Sequence, residues 1–112
     1  AGKLPLWLAP VQIRILTVSD KFSDYAVKLE NEFRKHDLRA EVDSRTESVG
    51  YKVREAQAQK IPLILTVGEK EESSNTVAVR TLDNKVYFDI KADELLEKVL
   101  NNVKNRNLQI NI

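Results

Sequence analysis

The apolar run Leu63–Val67 constrains the fold of this chain more than any other segment. Pro62 precedes the run and Gly68 follows it, so both of its ends are marked by residues that interrupt regular structure. Five residues are too few for a buried helix, and the nearly continuous apolar character is typical of a strand covered on both faces. Such strands occur mostly in parallel sheets with helices on either side. We therefore expect Leu63–Val67 to lie at the centre of an α/β sheet.

Two strand patterns and two helix patterns precede this central run. Residues 11–18 alternate apolar and polar side chains and then become continuously apolar, which predicts a strand. Residues 22–37 carry apolar side chains at helical spacing, residues 39–43 alternate strictly, and residues 49–61 show a second helical stripe before Pro62. The order of these patterns is therefore strand, helix, strand, helix. The apolar stripes of the two helices are Phe22, Tyr25, Ala26, Leu29 and Phe33, then Val49, Val53 and Ala56.

The pattern changes after the central strand. Residues 69–75 are almost entirely polar and predict a loop. Two alternating runs, 76–82 and 86–90, are joined by the turn-forming pair Asp-Asn, so they predict an antiparallel hairpin. A last helix is predicted over residues 95–103 by its apolar stripe. Together the elements predict an α/β fold with a mixed, mostly parallel sheet of about five strands flanked by three helices.

Alternation within the hairpin assigns its side chains to faces. Arg80 falls on the face opposite Val77 and Val79, so its guanidinium should point away from the apolar core. In the second strand, one face is predicted to carry the apolar side chains of Val86, Phe88 and Ile90.

Charge and composition exclude several classes of function. The chain has 18 Lys and Arg against 17 Asp and Glu, a formal charge of +1, so any binding to nucleic acid must depend on local placement of charge. There is no Cys, which excludes disulfides and thiolate metal sites and leads us to expect a cytoplasmic protein. The longest apolar run is far shorter than the roughly 20 residues of a membrane helix.

The chain carries no recognisable catalytic motif. Its glycines stand only at positions 2, 50 and 68, so neither a dinucleotide fingerprint nor a phosphate-binding loop is present. His36 is the only His, which leaves a zinc site or a Ser-His-Asp arrangement without partners. We therefore expect this chain to hold no cofactor and to perform no catalysis by itself.

Polar side chains cluster instead near the ends of two predicted parallel strands. The set comprises residues 45–48 after the second strand, Lys52 and Arg54 in the second helix, and residues 69–71 after the third strand. Ligands bind at the carboxyl ends of strands in open α/β sheets. Arg pairs bidentately with guanine and a carboxylate accepts hydrogen bonds from base amino groups, so the mixture favours base recognition over phosphate binding. Ordinary surface ion pairs are the alternative explanation of the same residues.

Five segments carry a resemblance to a known family. They are residues 7–12 (Trp-Leu-Ala-Pro-Val-Gln), 50–57 (Gly-Tyr-Lys-Val-Arg-Glu-Ala-Gln), 59–62 (Gln-Lys-Ile-Pro), 67–71 (Val-Gly-Glu-Lys-Glu) and 77–81 (Val-Ala-Val-Arg-Thr). Over nearly the whole chain, these segments resemble the C-terminal anticodon-binding domain of threonyl-tRNA synthetases. Related domains occur in prolyl-, glycyl- and histidyl-tRNA synthetases, but the combination of segments is most similar to the threonyl branch. The resemblance implies a mostly parallel five-stranded sheet flanked by helices.

The resemblance also implies a larger parent enzyme. Residues 11–112 would be the anticodon-binding domain, and residues 1–10 would be a linker from a catalytic core. The parent would be an ATP-dependent threonine–tRNA ligase that binds ATP and zinc in that core and forms a homodimer through it. The domain alone is expected to be a monomer that binds the anticodon loop of tRNA-Thr and no membrane.

Roles of individual residues follow from the resemblance, position by position. Arg80 and Glu71 match the family's residues that read anticodon bases. Lys70, Lys52 and Arg54 match its polar contacts around the anticodon loop.

Two further contact positions, Thr46 and Ser48, depart from the family pattern, which usually carries Asn and Lys there. Leu82 likewise stands where a basic residue is common. These departures imply a weaker attraction for phosphate.

The expected function is therefore to hold the anticodon loop while a separate active site attaches threonine. Threonine codons fix the second and third anticodon letters as G and U, so an Arg for guanine and a Glu or main-chain partner for uracil would suffice. The alternative is a protein-interaction or polymerase-accessory module, since this fold is reused in that way. Retention of Lys70, Glu71 and Arg80 argues against the alternative.

Overall fold

The strands form a single five-stranded sheet in the computed structural model, which describes residues 5–106. The strands are β1 (Ile13–Thr17), β2 (Ala40–Asp43), β3 (Leu63–Val67), β4 (Thr76–Thr81) and β5 (Val86–Lys91). Their order across the sheet is β2-β1-β3-β4-β5. β1 pairs in parallel with β2 and β3, whereas β4 pairs antiparallel with both β3 and β5. The prediction of a mixed α/β sheet with a central β3 is confirmed.

Within residues 5–106 four α-helices accompany the sheet, one more than the sequence predicts. They are α1 (Ser23–Lys35), α2 (Val49–Ala58), α3 (Glu69–Ser74) and α4 (Ala92–Asn105). The prediction of a loop over residues 69–75 is wrong, because α3 fills most of that segment. α3 buries none of its six residues, so no apolar stripe marks it in the sequence. Its two ends define it instead: the Glu71 carboxylate accepts a hydrogen bond from the Gly68 N–H, and Asn75 ends the helix with a left-handed φ of 57°.

The two faces of the sheet are covered unequally. One face packs against α1 and α4 through a large apolar cluster that includes Ile15, Phe33, Leu65, Val77 and Leu95. On the other face, a smaller cluster of Leu16, Val53, Ala56, Ile61 and Ile64 joins α2 to β1 and β3. The smaller cluster includes no residue of β4 or β5, so it does not extend over the side of these two strands that faces away from the large cluster. We call that side the open sheet face, and its side chains are those of Ala78, Arg80, Val86 and Phe88.

Burial along β4 confirms the predicted alternation. Val77 and Val79 are fully buried in the large cluster, whereas Arg80 is half-buried on the opposite face. Arg80 pairs with Ile64 on β3 and with Val86 on β5, so it lies at the end of β4 close to the hairpin turn.

The prediction that Val86, Phe88 and Ile90 share a face is wrong. The pairing of β4 with β5 shifts register between Val77 and Val79, and Asp89 adopts a left-handed φ of 57° opposite the shift. Such a bulge inserts one extra residue and reverses the alternation beyond it. Ile90 consequently packs on the large apolar cluster, while Phe88 remains 67% exposed.

Part of the segment expected to be a linker packs against the domain. Leu6 is buried in the large apolar cluster, and the Gln12 side-chain amide donates a hydrogen bond of 3.0 Å to the Leu6 carbonyl. Residues 1–4 of that segment and residues 107–112 of the expected domain lie outside the described residues. None of the helices within residues 5–106 has the length and hydropathy to cross a bilayer.

Candidate nucleic-acid interface

Two groups of predicted contact residues lie at the carboxyl-terminal edge of the parallel strands. Thr46 and Ser48 are exposed in the connection from β2 to α2, and Lys70 and Glu71 belong to α3, directly after β3. Because β1 pairs with both β2 and β3, one strand separates the two groups. The edge is therefore shared, as the sequence predicts, but the two groups do not adjoin.

Ion pairs hold the connection between β2 and α2. The Arg45 guanidinium lies 2.8 Å from Asp43 Oδ2 and 2.7 Å from Glu55 Oε1, and its central carbon lies 5.7 Å from the centre of the Tyr51 ring. Hydrogen bonds from Arg45 lower the pKa of the Asp43 carboxyl, and the two carboxylates raise the pKa of Arg45. Arg45 is therefore engaged within the protein, and it fixes the loop that carries Thr46 and Ser48.

Ser48 caps helix α2. Its hydroxyl oxygen accepts a hydrogen bond of 3.1 Å from the Tyr51 N–H, which satisfies one of the free donors in the first turn. The serine thus supplies the N-cap of α2, at one of the two positions where a departure from the family pattern is expected.

Ser48→Ala is expected to lower the free energy of unfolding by about 1 kcal/mol, because the Tyr51 N–H loses its acceptor. Urea denaturation followed by circular dichroism measures the change. Thr46→Ala, in the same exposed loop, is the matched control and should change stability by less than about 0.5 kcal/mol. Equal stability of Ser48→Ala and the parent would contradict the capping role.

Lys52 is not brought to the surface. Only 1% of the residue is exposed, and its ammonium donates a hydrogen bond of 3.1 Å to the Thr17 carbonyl at the end of β1. A buried charge is costly unless it is hydrogen-bonded, so this contact ties α2 to the sheet. In this conformation Lys52 supports the site from beneath and does not reach a ligand outside it.

Lys70 and Glu71 make different contacts although they are neighbours in α3. The exposed Lys70 ammonium lies 3.0 Å from Asp89 Oδ1 on β5. Glu71 Oε1 accepts a hydrogen bond of 2.7 Å from the Gly68 N–H, and the carboxylate is half-buried. Burial, followed by the negative charge of Glu71, raises the pKa of Tyr25 to about 12, and the Tyr25 hydroxyl donates a hydrogen bond of 2.7 Å to the Thr76 carbonyl.

Arg80 lies away from the carboxyl-terminal edge. It pairs with Ile64, three residues before the end of β3 at Val67, which corresponds to about 10 Å along the strand. Its Nη1 donates a hydrogen bond of 3.0 Å to Asn84 Oδ1 in the hairpin turn. Among residues 5–106, no protein group accepts a hydrogen bond from its Nε or Nη2. Arg80 is thus anchored through one nitrogen, and the other two remain available as donors.

Helix α2 lies beside the open sheet face, next to the hairpin turn between β4 and β5. The Gln57 side-chain amide donates to Asn84 Oδ1 at 3.3 Å, which places this side of α2 beside the hairpin turn. Exposed Arg54 lies one helical turn before Gln57 and therefore on the same side of α2. The structure thus brings Arg54 and Arg80 to one surface, with Lys70 at its far end.

Three residues of this surface were not singled out from the sequence. Gln57 carries no pattern that distinguishes it, and Asn84 was recognised only as a turn residue. Phe88 was predicted only to share a face with Val86 and Ile90, and the tolerance of Asp for left-handed backbone is the one signal in the sequence for the bulge beside it. In the part of the chain that the structure describes, no three His, Asp or Glu side chains are grouped as metal ligands.

The chain is thus a small α/β domain that displays Arg and Lys side chains on one surface. Residues 12–102 match the family model described as the anticodon binding domain, and the chain belongs to that family.

The chain is similar over nearly its whole length to bacterial threonine–tRNA ligases. That of Desulfatibacillum aliphaticivorans is 49% identical over 107 residues, which cover 96% of this chain and 17% of the relative. That of Clostridioides difficile is 44% identical over 106 residues, covering 95% and 17% respectively. The chain therefore spans about a sixth of the length of these curated relatives.

A solved structure shares the fold. The crystal structure of the RNA binding domain of threonyl-tRNA synthetase from Cryptosporidium parvum Iowa II is 27% identical, with a TM-score of 0.81 over 96% of this chain and 26% of that one. The resemblance to the anticodon-binding domain of threonyl-tRNA synthetases is confirmed.

Proposed function

We propose that this chain holds the anticodon loop of tRNA-Thr and reads the second and third anticodon letters for a threonine–tRNA ligase. The observation that carries the proposal is the guanidinium of Arg80, which lies on the open sheet face with Nε and Nη2 unengaged among residues 5–106. A planar guanidinium donates two parallel hydrogen bonds to O6 and N7 of guanine, the second letter.

The surroundings of Arg80 support binding of a loop rather than of a duplex. Arg54 and Lys70 are exposed and supply local positive charge for the phosphates that flank the bases. Bases of a loop are unpaired and present their hydrogen-bonding edges to the protein. The third letter, uracil, would be bound by the oxygen of Glu71 that does not cap Gly68 or by a main-chain group of the same turn.

Attachment of threonine belongs to the rest of the enzyme in this proposal. The domain would be a monomer by itself, whereas ATP, zinc and the contacts of a homodimer would lie in the catalytic core. The role of this chain would be to position the tRNA so that its acceptor end reaches that core.

Binding of synthetic anticodon stem-loops tests the proposal. We expect the loop with G and U at the second and third letters to bind more tightly than a loop with either letter changed, by about 1–3 kcal/mol per letter. A change of the first letter should have little effect, because threonine codons leave it variable. The slope of log affinity against log salt should be shallow, since few cationic side chains face the loop. Equal affinity for all of these loops would contradict the proposal.

A further inference from the structure

Phe88 is the most exposed large apolar side chain of the described residues, at 67%. Its two apolar neighbours along β5, Tyr87 and Ile90, both pack on the large apolar cluster. Phe88 alternates with Tyr87 along β5, so its ring lies on the open sheet face with Val86, and the bulge at Asp89 returns only the following Ile90 to the core. Packing within the domain therefore does not explain why a phenylalanine stands at that position.

The side chains around Phe88 indicate what could cover it. Arg80 pairs with Val86, two residues before Phe88 and on the same face, so the ring and the guanidinium are diagonal neighbours. Lys70 bonds to Asp89, the residue that follows Phe88. A single aromatic ring bordered by the Arg80 guanidinium, which pairs with no carboxylate among residues 5–106, and by the Lys70–Asp89 ion pair suits an occupant that combines a flat apolar surface with negative charge. An unpaired nucleotide has both properties, whereas the apolar face of a protein partner would meet one ring and several charges.

We propose that Phe88 is a stacking platform for an unpaired base of the bound RNA, next to the base that Arg80 contacts. This inference rests on the proposed function, because it assumes that RNA occupies the open sheet face. Every base has a π-face, so stacking on Phe88 would strengthen binding with little regard to the identity of the stacked base. Phe88 would thus hold the loop, and Arg80 would select its sequence.

Four variants test the platform with stem-loops that carry the fluorescent base 2-aminopurine in the loop. Phe88→Ala should weaken binding by roughly 5- to 150-fold for the cognate loop and for a loop with a changed second letter alike. It should also abolish the quenching of 2-aminopurine that stacking produces. Phe88→Tyr should bind and quench like the parent, whereas Phe88→Leu should fall between parent and alanine. Val27→Ala is the matched control, because Val27 is an exposed apolar residue of α1 on the far side of the sheet.

The outcomes separate this inference from the proposed function. Unchanged affinity of Phe88→Ala, with the parent preferring the cognate loop, would overturn the platform and leave the proposed function intact. Unchanged affinity of Phe88→Leu would overturn stacking in particular. A parent that binds both loops equally, and loses both with Phe88→Ala, would support the platform while contradicting the proposed reading of letters. Thermal unfolding of Phe88→Ala should match the parent, since the ring is mostly in solvent.

Discussion

Arg80→Ala is expected to lower the preference for guanine at the second anticodon letter by about 1–3 kcal/mol. The variant removes both donors of the proposed fork to guanine, so the loop with a changed letter should lose much less affinity than the cognate loop. Titration of both loops against parent and variant measures the difference. Stability should change by only about 0.5 kcal/mol, because Arg80 packs on an open strand face and its bond to Asn84 is exposed.

Two further variants define how Arg80 acts. Arg80→Lys keeps the charge but not the planar fork, so it should retain the salt dependence of binding and still lose part of the discrimination. Asn84→Gly tolerates the left-handed φ of 66° at that position and removes the acceptor that anchors Arg80. It should weaken discrimination less than Arg80→Ala does. If Arg80→Ala instead weakens both loops equally, Arg80 contacts a phosphate and does not read a base.

Lys52→Ala is expected to lower the free energy of unfolding by about 2–3 kcal/mol, the largest loss of stability predicted here. Truncation leaves a void where the buried stem lay and deprives the Thr17 carbonyl of its donor. Relief of a buried charge offsets part of this loss. Thermal unfolding should show a transition lower by about 8–12 °C for a domain of this size.

The effect of Lys52→Ala on RNA binding shows whether Lys52 only stabilises the fold beneath the site or contacts the RNA itself. Well below the transition temperature, the slope of log affinity against log salt should be that of the parent, because the ammonium is buried and faces no phosphate. Arg54→Ala is the matched control on the same helix: it should change stability by less than about 0.5 kcal/mol and reduce the slope by about 1. A stable Lys52→Ala variant with a reduced slope would contradict the supporting role.

The sequence predicts most elements of this fold because their side chains alternate or repeat at helical spacing. The apolar stripes of α1 and α4 fit only helices, and the short, continuously apolar run of β3 fits a buried strand. α3 buries no residue and so has no such stripe; the Glu71–Gly68 hydrogen bond and the left-handed Asn75 define its ends instead. Periodicity is therefore informative only where an element buries one face.

The site was harder to predict than the fold, for two physical reasons. Lys52 falls on the buried stripe of α2 together with Val49, Val53 and Ala56, at spacings of three, four and seven residues. The sequence contains that spacing, but a lysine is almost never fully buried, so the residue type favoured a surface position for Lys52.

The second reason concerns the direction of a strand. Because β4 runs antiparallel to β3, Arg80 is carried back toward the hairpin turn and away from Lys70 and Glu71. The hairpin could be predicted, but not the bulge that returns Ile90 to the core, since the bulge depends on the backbone conformation at Asp89.

The bulge in β5 has a consequence for the behaviour of the domain at high concentration. β5 is the last strand of the sheet, and an edge strand offers backbone N–H and C=O groups on which a strand of another molecule can pair. The left-handed Asp89 interrupts this row of groups near its middle, and Lys85 and Lys91 place positive charge beside its two ends. Strand addition between molecules is thereby opposed at the place where an exposed aromatic ring would otherwise promote it. An uncovered phenylalanine can thus be displayed beside a sheet edge without turning that edge into a template for aggregation.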